Sequence, residues 1–142
     1  MKNNKLFAYG ILKRGYELDL AKYGAKFISE AHISNAALYG IGHRWSHESH
    51  PNEGREYHGV GLKLDVGPDR VAHGELWEIP DRLWDWLDSI EQNGRVYTRK
   101  VEVVNVPLPP DELQVGIAMT SAWVYEHNHI FSERDEIKGG RF

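Results

Sequence analysis

The chain has 142 residues, a length typical of one domain, and its 41% hydrophobic and 27% charged residues are typical of a globular protein. A formal net charge of −4 argues against a nucleic-acid or membrane-surface partner, and no apolar run reaches the length of about 18 residues needed to cross a bilayer. The absence of cysteine excludes disulfides, thiolate nucleophiles and cysteine-ligated zinc. Because the N-terminus also lacks a signal-peptide core, we expect a single cytoplasmic domain over residues 1–142.

The first part of the chain predicts strands separated by one short helical segment. Residues 5–9 predict a strand, and residues 16–23 predict one or two helical turns that end at Gly24. Loose alternation of apolar and polar residues predicts strand structure over 26–41. The polar segment 42–59, which contains glycine, proline and asparagine, predicts a long loop, and loops of this length are often functional.

The middle of the chain contains the best helix signal. Alternation predicts strands over 60–66 and 71–79. Pro80 then precedes the sequence DRLWDWLDSIEQ, residues 81–92, which predicts an amphipathic helix ended by the Asn93-Gly94 pair.

The last part of the chain predicts two strands around a proline-rich loop. Strands are expected over 96–106 and 117–127, and Pro107, Pro109 and Pro110 place a turn or loop between them. The polar tail 128–142 predicts a frayed end. Many short strands with one good helix indicate an α+β fold built on a mixed, mainly antiparallel β-barrel flanked by short α-helices.

Glu91 is the acidic residue that shares the apolar face of the predicted helix. On a helical wheel it falls about 40° from Leu87, whereas Asp81, Asp85 and Asp88 point towards solvent. Burial and a position in the last helical turn both disfavour the charged carboxylate and raise its pKa. A raised carboxyl pKa is the property that a general base needs near neutral pH.

The following strand supplies polar neighbours for Glu91. Val101 and Val103 predict the inward phase of this strand, and Tyr97 and Arg99 share it. The outward phase comprises Thr98, Lys100 and Glu102. Tyr97 either donates a hydrogen bond to a substrate or to Glu91, or lines the barrel with a hydrated hydroxyl. A plainer interpretation of Glu91 is that it bends out to water or pairs with Arg99.

Six stretches together resemble the γ-glutamylcyclotransferase-like family, and in particular its small AIG2-like and γ-glutamylamine cyclotransferase branch. They are FAYGILKRG, GAKFISEAHI, ALYGIG, VAHGELWEIP, LDSIEQNGRVYTRKVEV and AWVY. Their order and spacing match over 5–41 and 71–126, whereas the 42–59 segment and the tail after 127 lie outside the resemblance. The resemblance implies a small mixed-strand barrel with short flanking helices and a pocket at the barrel mouth.

The resemblance also implies a reaction in which the α-amine of a γ-glutamyl group attacks its own γ-carbonyl, giving 5-oxoproline and a free amine. The family's catalytic glutamate corresponds to Glu91, and its substrate loop corresponds to Tyr9, Gly10, Ile11 and Leu12. Backbone N–H groups of this glycine-containing turn suit a developing oxyanion, and the reaction requires no metal or other cofactor. The family often has threonine or serine where this chain has Ile11, which removes one hydroxyl from the substrate loop.

Two other functions compete with this interpretation. The absence of a hydroxyl at Ile11 leaves room for a non-catalytic small-molecule-binding module on the same barrel. A histidine-dependent metal site is the second alternative, although these histidines show no zinc-binding motif. The histidines are His43, His47, His50, His58, His127 and His129. The loop that carries the first four is equally suited to be a solvated segment or a lid, with Trp45 as a lining residue.

We assign structural or binding roles to the remaining polar and aromatic residues that the sequence predicts to be buried. Tyr125, in the sequence AWVYE, is a candidate pocket hydroxyl. Glu75 is a candidate second buried acid, to which we assign a structural role. Core and barrel-wall positions are expected for Trp77, Trp84, Trp86 and Trp123. The leaving amine and the oligomeric state stay open.

Overall fold

Seven β-strands and one short α-helix form the framework of the described residues. The computed structural model describes residues 3–16, 18–41, 59–107 and 116–142. The strands are β1 (Lys5–Ala8), β2 (Lys26–Ser34), β3 (Ala36–Ile41), β4 (Gly59–Leu64), β5 (Val71–Glu78), β6 (Tyr97–Pro107) and β7 (Ile117–His127). The helix α1 spans Trp84–Ile90. Short 3₁₀ segments span Leu20–Tyr23, Asp81–Leu83, Glu133–Asp135 and Lys138–Gly140.

Five of these strands close into a mixed barrel, which confirms the predicted fold class. Antiparallel pairing joins them in the order β1-β5-β2-β6-β7, and a parallel contact between Leu6 and Trp123 closes β7 onto β1. The antiparallel hairpin of β3 and β4 extends the sheet from β7 through a parallel contact between Leu62 and Glu126. Because β7 touches β6, β1 and β4, its C-terminal half lies where the barrel and the hairpin meet.

The core has two layers, one on each side of the barrel wall. The first fills the barrel and comprises Phe7, Tyr9, Ala31, Ile33, Ala36, Leu38, Val60, Leu62, Ala72, Leu76, Val104, Ala122 and Val124. The second packs α1 and the first 3₁₀ segment against the outside of β1, β5 and β7. It comprises Leu6, Ala8, Leu12, Leu20, Trp77, Ile79, Leu83, Trp84, Leu87 and Tyr125. Burial of these apolar surfaces fixes α1 against the barrel wall.

The helical segments are shorter than the sequence predicts. The predicted helix over 81–92 is a 3₁₀ turn that runs into α1, and the chain reverses at Gln92, which has a φ of +49°. The predicted helical turns over 16–23 are the single 3₁₀ segment Leu20–Tyr23. Asp19 caps that segment, and Gly24 ends it in the left-handed conformation, as predicted.

The predicted inward phase of β6 is wrong. Val101 and Val103 are 48% and 54% exposed, whereas Val104 is fully buried inside the barrel. The cross-strand partners of Lys100 and Glu102 on β7 are the buried Val124 and Ala122, which shows that the even-numbered face of β6 turns inward. Helix α1 covers the outer face only near the start of β6, so the outward valines remain exposed.

The prediction of a frayed tail is also wrong. Ile137 and Phe142 pack against the barrel core, and Phe131 stacks on the Tyr39 ring with a centroid distance of 5.1 Å. The Ile137 N–H donates to the Leu38 carbonyl at 2.8 Å. A few apolar side chains in an otherwise polar segment are therefore enough to fasten 128–142 to β3.

Most of the two predicted loops falls outside the described residues. The ranges 42–58 and 108–115 lie outside the described residues. The suggested lid, Trp45 and the four histidines His43, His47, His50 and His58 therefore lie outside them as well. None of the helices in the described ranges has the length and apolar character required to span a bilayer.

Replacing Gly74 by alanine is expected to lower the free energy of unfolding by about 2 kcal/mol, because overpacking a core has this order of cost. A Cβ atom at this position of β5 would lie 2.5 Å from the Ala8 carbonyl oxygen and 2.7 Å from Phe7 Cζ. Since the first contact is with backbone, β1 must move. Urea denaturation measures the loss. Gly59→Ala is the matched control, because a Cβ there meets no atom of the described residues within 4 Å, and we expect it to stay within about 0.5 kcal/mol of the wild type. Equal stability of the two variants would contradict the close packing of β1 on β5.

Candidate functional site

One cavity is lined by all seven residues that the sequence singles out as catalytic or substrate-binding. It has about 460 Å³ of space, including its open mouth. The seven residues are Tyr9, Gly10, Ile11, Leu12, Glu91, Tyr97 and Tyr125. Its other lining residues are Phe7, Ala8, Gly59 and Val60, which sequence reasoning did not select. Alternation in 60–66 marks Val60 as buried, but no local signal indicates that β4 borders the pocket.

In the loop that follows β1, three carbonyl groups accept hydrogen bonds, whereas two peptide N–H groups have no acceptor among the described residues. The carbonyls of Gly10, Ile11 and Leu12 accept hydrogen bonds from the N–H groups of Lys13 at 3.0 Å, Leu18 at 2.9 Å and Leu20 at 3.1 Å. In a trans peptide the N–H points opposite to the carbonyl of the preceding residue. The N–H groups of Ile11 and Leu12 therefore point away from the 13–20 segment, and neither has an acceptor within the described residues. These free donors suit an anionic or carbonyl oxygen of a ligand.

Gly10 lies where this loop contacts β4. Its φ is not in the left-handed region, so its role is spatial and not conformational. A Cβ atom on residue 10 would lie 2.9 Å from Val60 Cγ1, and both residues line the cavity. Glycine thus allows the loop to approach β4 closely at the cavity wall.

The Tyr9 hydroxyl fastens the start of the loop to two strands. It donates to the Tyr125 carbonyl on β7 at 2.5 Å and accepts from the Leu62 N–H on β4 at 3.3 Å. Burial raises the pKa of Tyr9 well above its ordinary value, and the neighbouring Tyr97 and Glu91 add to that increase. Tyr9 therefore contributes its ring to the cavity wall and uses its hydroxyl within the protein.

Glu91 follows α1 directly and presents a carboxyl group to the cavity. Its main-chain N–H donates to the Leu87 carbonyl at 3.0 Å, which continues the helical pattern and fixes the backbone. Burial raises the pKa of its side chain from 4.5 to about 7. No hydrogen bond or ion pair engages this carboxyl group within the described ranges, so the suggested pairing with Arg99 is not observed.

Tyr97 lies beside Glu91 at the start of β6. Its hydroxyl donates to the Val60 carbonyl at 3.1 Å, so its proton is not directed at Glu91. Burial raises the pKa of Tyr97, and the charge of Glu91 raises it further. The ring also contacts His127 edge-to-face at a centroid distance of 4.7 Å.

Asp88 is not directed to solvent, contrary to the helical-wheel prediction. It is half-buried and accepts a hydrogen bond from the Tyr125 hydroxyl at 2.6 Å. Arg99 pairs with the same carboxylate through Nε at 3.1 Å and Nη2 at 3.2 Å. The guanidinium lies between the rings of Trp84 and Trp123, with its central carbon 4.7 and 4.6 Å from their centroids. Side chains from β6 and β7 thus cover the helix face that the wheel assigns to water.

The second buried acid has the structural role that the sequence predicts. Glu75 is 6% exposed and accepts hydrogen bonds from the Arg14 N–H at 2.9 Å, Arg14 Nε at 3.0 Å and Trp77 Nε1 at 3.2 Å. These three donors satisfy its carboxylate away from the cavity and tie the end of the loop after β1 to β5. The expected core positions of Trp77 and Trp84 are confirmed, with Trp86 and Trp123 partly buried beside them.

The histidines within the described residues do not assemble a metal centre. The His127 and His129 rings lie 6.2 Å apart, and the His129 N–H donates to His127 Nδ1 at 3.0 Å. No group of three or more histidine, aspartate or glutamate side chains in the described ranges could hold a metal ion.

Known proteins share this architecture and sequence pattern. Residues 6–142 match the family described as "Gamma-glutamyl cyclotransferase, AIG2-like". The Troponin C-akin-1 protein of Drosophila melanogaster is 30% identical over an alignment of 127 positions. That alignment covers 86% of this chain and 65% of that protein's length.

Solved structures with the same fold come from distant organisms. An AIG2-like protein from Mus musculus has a TM-score of 0.65 at 22% identity, over 94% of this chain and 82% of its own. An uncharacterised protein from Pyrococcus horikoshii has a TM-score of 0.62 at 20% identity, over 97% and 88% of the two chains. At these identities the likeness concerns the fold, and the family match covers nearly the whole chain. This chain therefore belongs to the AIG2-like family of γ-glutamyl cyclotransferases.

Proposed function

We propose that this protein is a γ-glutamylcyclotransferase that converts a γ-glutamyl amine or γ-glutamyl peptide into 5-oxoproline and a free amine. The observation that carries the proposal is the pairing of two features in one cavity. Burial raises the carboxyl pKa of Glu91 to about 7, and this group has no partner in the described residues. In the same part of the chain's structure the loop after β1 has no acceptor for the N–H groups of Ile11 and Leu12. The reaction needs both a base and oxyanion donors.

In the proposed reaction Glu91 first accepts a proton from the substrate α-ammonium group. The free amine nitrogen then attacks the γ-carbonyl carbon, and the carbonyl oxygen becomes an oxyanion that accepts hydrogen bonds from the loop N–H groups. The protonated Glu91 gives its proton to the leaving nitrogen as the amide C–N bond breaks. The regenerated carboxylate then takes the second proton from the ring nitrogen and passes it to the departing amine. The products are 5-oxoproline and the released amine in its ammonium form, and Glu91 ends as a carboxylate.

The apolar part of the cavity supports this reaction by excluding water from the reacting groups. Phe7, Ala8, Leu12 and Val60 line it beside the polar groups. A dry wall strengthens the electrostatic effect of the loop N–H groups and favours the folded conformation that brings the amine to its own carbonyl. The pocket volume suits a ligand of amino-acid or small-peptide size.

The alternative is a binding module without catalysis, and Ile11 is the residue that favours it. Its side chain has no hydroxyl to contact a ligand, but the loop offers a peptide N–H group at this position. Since oxyanion stabilisation by backbone does not depend on the side chain, we favour the enzyme. The alternative predicts binding of a γ-glutamyl compound without product.

The test is a 5-oxoproline assay over a panel of γ-glutamyl amines, γ-glutamyl amino acids and γ-glutamyl-lysine compounds. We expect turnover of at least one class, and the preferred leaving group identifies the substrate. Binding of γ-glutamyl compounds with no 5-oxoproline from any of them would favour the binding module.

The rate of this reaction is expected to depend on pH through Glu91. A base must be deprotonated to act, so kcat/KM should rise with pH and level off above about 7, where burial places the pKa of this carboxyl group. Below that value the rate should fall about tenfold for each pH unit. The measurement is the initial rate of 5-oxoproline release from pH 5 to 9 at low substrate concentration. A rate that is constant from pH 5.5 upward would contradict the assignment of Glu91 as the base.

A further inference from the structure

The hydroxyl protons of two cavity tyrosines are directed at protein acceptors. The Tyr97 hydroxyl lies 3.1 Å from the Val60 carbonyl oxygen, a group that can only accept, so Tyr97 is the donor. The Tyr125 hydroxyl lies 2.6 Å from Asp88 Oδ1, and this carboxylate, paired with Arg99, also only accepts. A phenol has one proton, so both oxygens have only lone pairs left for a ligand in the cavity.

We propose that Tyr97 and Tyr125 act as hydrogen-bond acceptors for the α-ammonium group of the substrate, alongside Glu91, and that Asp88 is the positioning residue that sets this polarity at Tyr125. The proposal rests on the proposed function for the identity of the ammonium group. An ammonium group has three N–H donors, and the two phenol oxygens and the carboxylate provide three acceptors.

The electrostatics of the cavity support this division of roles. At Tyr97 burial raises the pKa most and the charge of Glu91 comes next. At Tyr125 burial and then Asp88 raise the pKa most, and the charge of Glu91 adds a smaller increase, so its field reaches both hydroxyl groups. Among the described lining residues Glu91 is the only one with an ionisable carboxyl group, and none is a lysine or an arginine. The part of the cavity formed by Glu91, Tyr97 and Tyr125 therefore favours binding of a cationic group.

The loop after β1 brings groups of the reverse polarity to the same cavity. The N–H groups of Ile11 and Leu12, which have no acceptor among the described residues, are donors and suit the carbonyl or carboxylate oxygens of the ligand. A cavity that combines these acceptors and donors selects a ligand that carries an ammonium group and oxygen acceptors together. It discriminates against an analogue that lacks the amine, because the acceptors would then be desolvated without a partner.

Asp88 is held firmly enough to define the Tyr125 hydroxyl direction. Arg99 binds it through two nitrogens, and the Arg99 N–H donates to Asn93 Oδ1 at 2.9 Å. The Asn93 N–H in turn donates to the Asp88 carbonyl at 2.9 Å. This closed set of hydrogen bonds joins the end of α1 to the start of β6, one helical turn before Glu91.

The test compares two ligands that differ only in the amine, γ-glutamylmethylamide and N-methylglutaramic acid. All proteins carry Glu91→Gln so that the ligand is not consumed, and calorimetry gives both dissociation constants. In this background we expect γ-glutamylmethylamide to bind more tightly. Tyr97→Phe, Tyr125→Phe and Asp88→Asn should each reduce that preference by about fivefold to tenfold, since a hydrogen bond to a charged group has this order of effect. Tyr23→Phe removes a hydroxyl from a ring outside the cavity, against Trp86, and should leave the preference unchanged.

The outcomes separate this proposal from the proposed function. Equal weakening of both ligands by the tyrosine variants, or no preference before substitution, would overturn the acceptor role even if the wild type releases 5-oxoproline. Loss of preference in the tyrosine variants but not in Asp88→Asn would overturn the positioning role. If the preference behaves as expected and the wild type forms no 5-oxoproline, the acceptor role stands and the enzyme proposal fails. Thermal melting of each variant shows that it is folded.

Discussion

Replacing Glu91 by glutamine is expected to lower kcat for 5-oxoproline release by a factor of about 10² to 10⁴, the contribution that general acid–base catalysis usually makes. Glutamine retains the size of the side chain but accepts no proton at neutral pH. The loop N–H groups of Ile11 and Leu12 are untouched, so the residual rate reports the oxyanion donors and the folded conformation of the bound substrate. The measurement is 5-oxoproline formed at saturating substrate, so that weaker binding does not obscure the change in kcat.

Asp85→Asn is the matched control for this substitution. It removes the same charge from the exposed side of α1, one and a half turns before Glu91, and it lies outside the cavity. We expect its kcat to stay within about twofold of the wild-type value, as for surface substitutions in general. Comparable losses in the two variants would indicate a general effect of charge on α1. Full activity of Glu91→Gln would refute Glu91 as the base.

Local periodicity was sufficient to locate Glu91 but not to describe what surrounds it. Its phase relative to Leu87 depends only on helix geometry, and the structure places both where the wheel predicts, Leu87 buried and Glu91 at the cavity. Asp88 was assigned to solvent because the side chains that cover it come from later strands. Arg99 and Tyr125 are 11 and 37 residues away in sequence, and no helical pattern contains that information.

The dependence on contacts from distant parts of the sequence also explains why the predicted inward phase of β6 is wrong. Alternation identifies the two faces of a strand but does not say which face is inside, and both faces of β6 carry valine. Which face of β6 is buried depends on β7 and on the extent of α1. Trp84, on α1, covers Arg99, but the helix leaves Val103 54% exposed. The motif around Tyr9 was informative for another reason. Its residues are adjacent in sequence, so the loop they form is a local structure.

Glu91→Gln is also expected to stabilise the protein above neutral pH. Burial raises the pKa of the native carboxyl group from 4.5 to about 7, so between these values the native state holds a proton that the unfolded chain has lost. The wild-type free energy of unfolding should therefore fall as the pH rises through this window. The total loss is about 3 kcal/mol, since each pKa unit corresponds to about 1.4 kcal/mol. Glutamine does not titrate, so the variant should exceed the wild type by this amount at pH 8 and by little at pH 4.

Urea denaturation of the wild type, Glu91→Gln and Asp85→Asn from pH 4 to 8 measures this effect. The difference between the wild type and each variant cancels the titration of all other groups. We expect a difference that grows between pH 4.5 and 7 for Glu91→Gln and a small, nearly constant one for Asp85→Asn. A stability difference for Glu91→Gln that does not change with pH would show that its carboxyl pKa is ordinary in the folded protein.

The kinetic and the stability experiments measure the pKa of the same carboxyl group by independent routes. If 5-oxoproline release reaches half its maximum near the pH where the stability difference levels off, then the buried carboxyl group and the base are one group. If the stability difference levels off near pH 7 but the rate follows another pKa, Glu91 is a buried acid and proton removal belongs elsewhere in the cavity. In the first of these outcomes, the instability of the buried Glu91 carboxylate is the physical cause of its basicity. Burial destabilises the charged form and keeps its lone pairs free for the substrate proton.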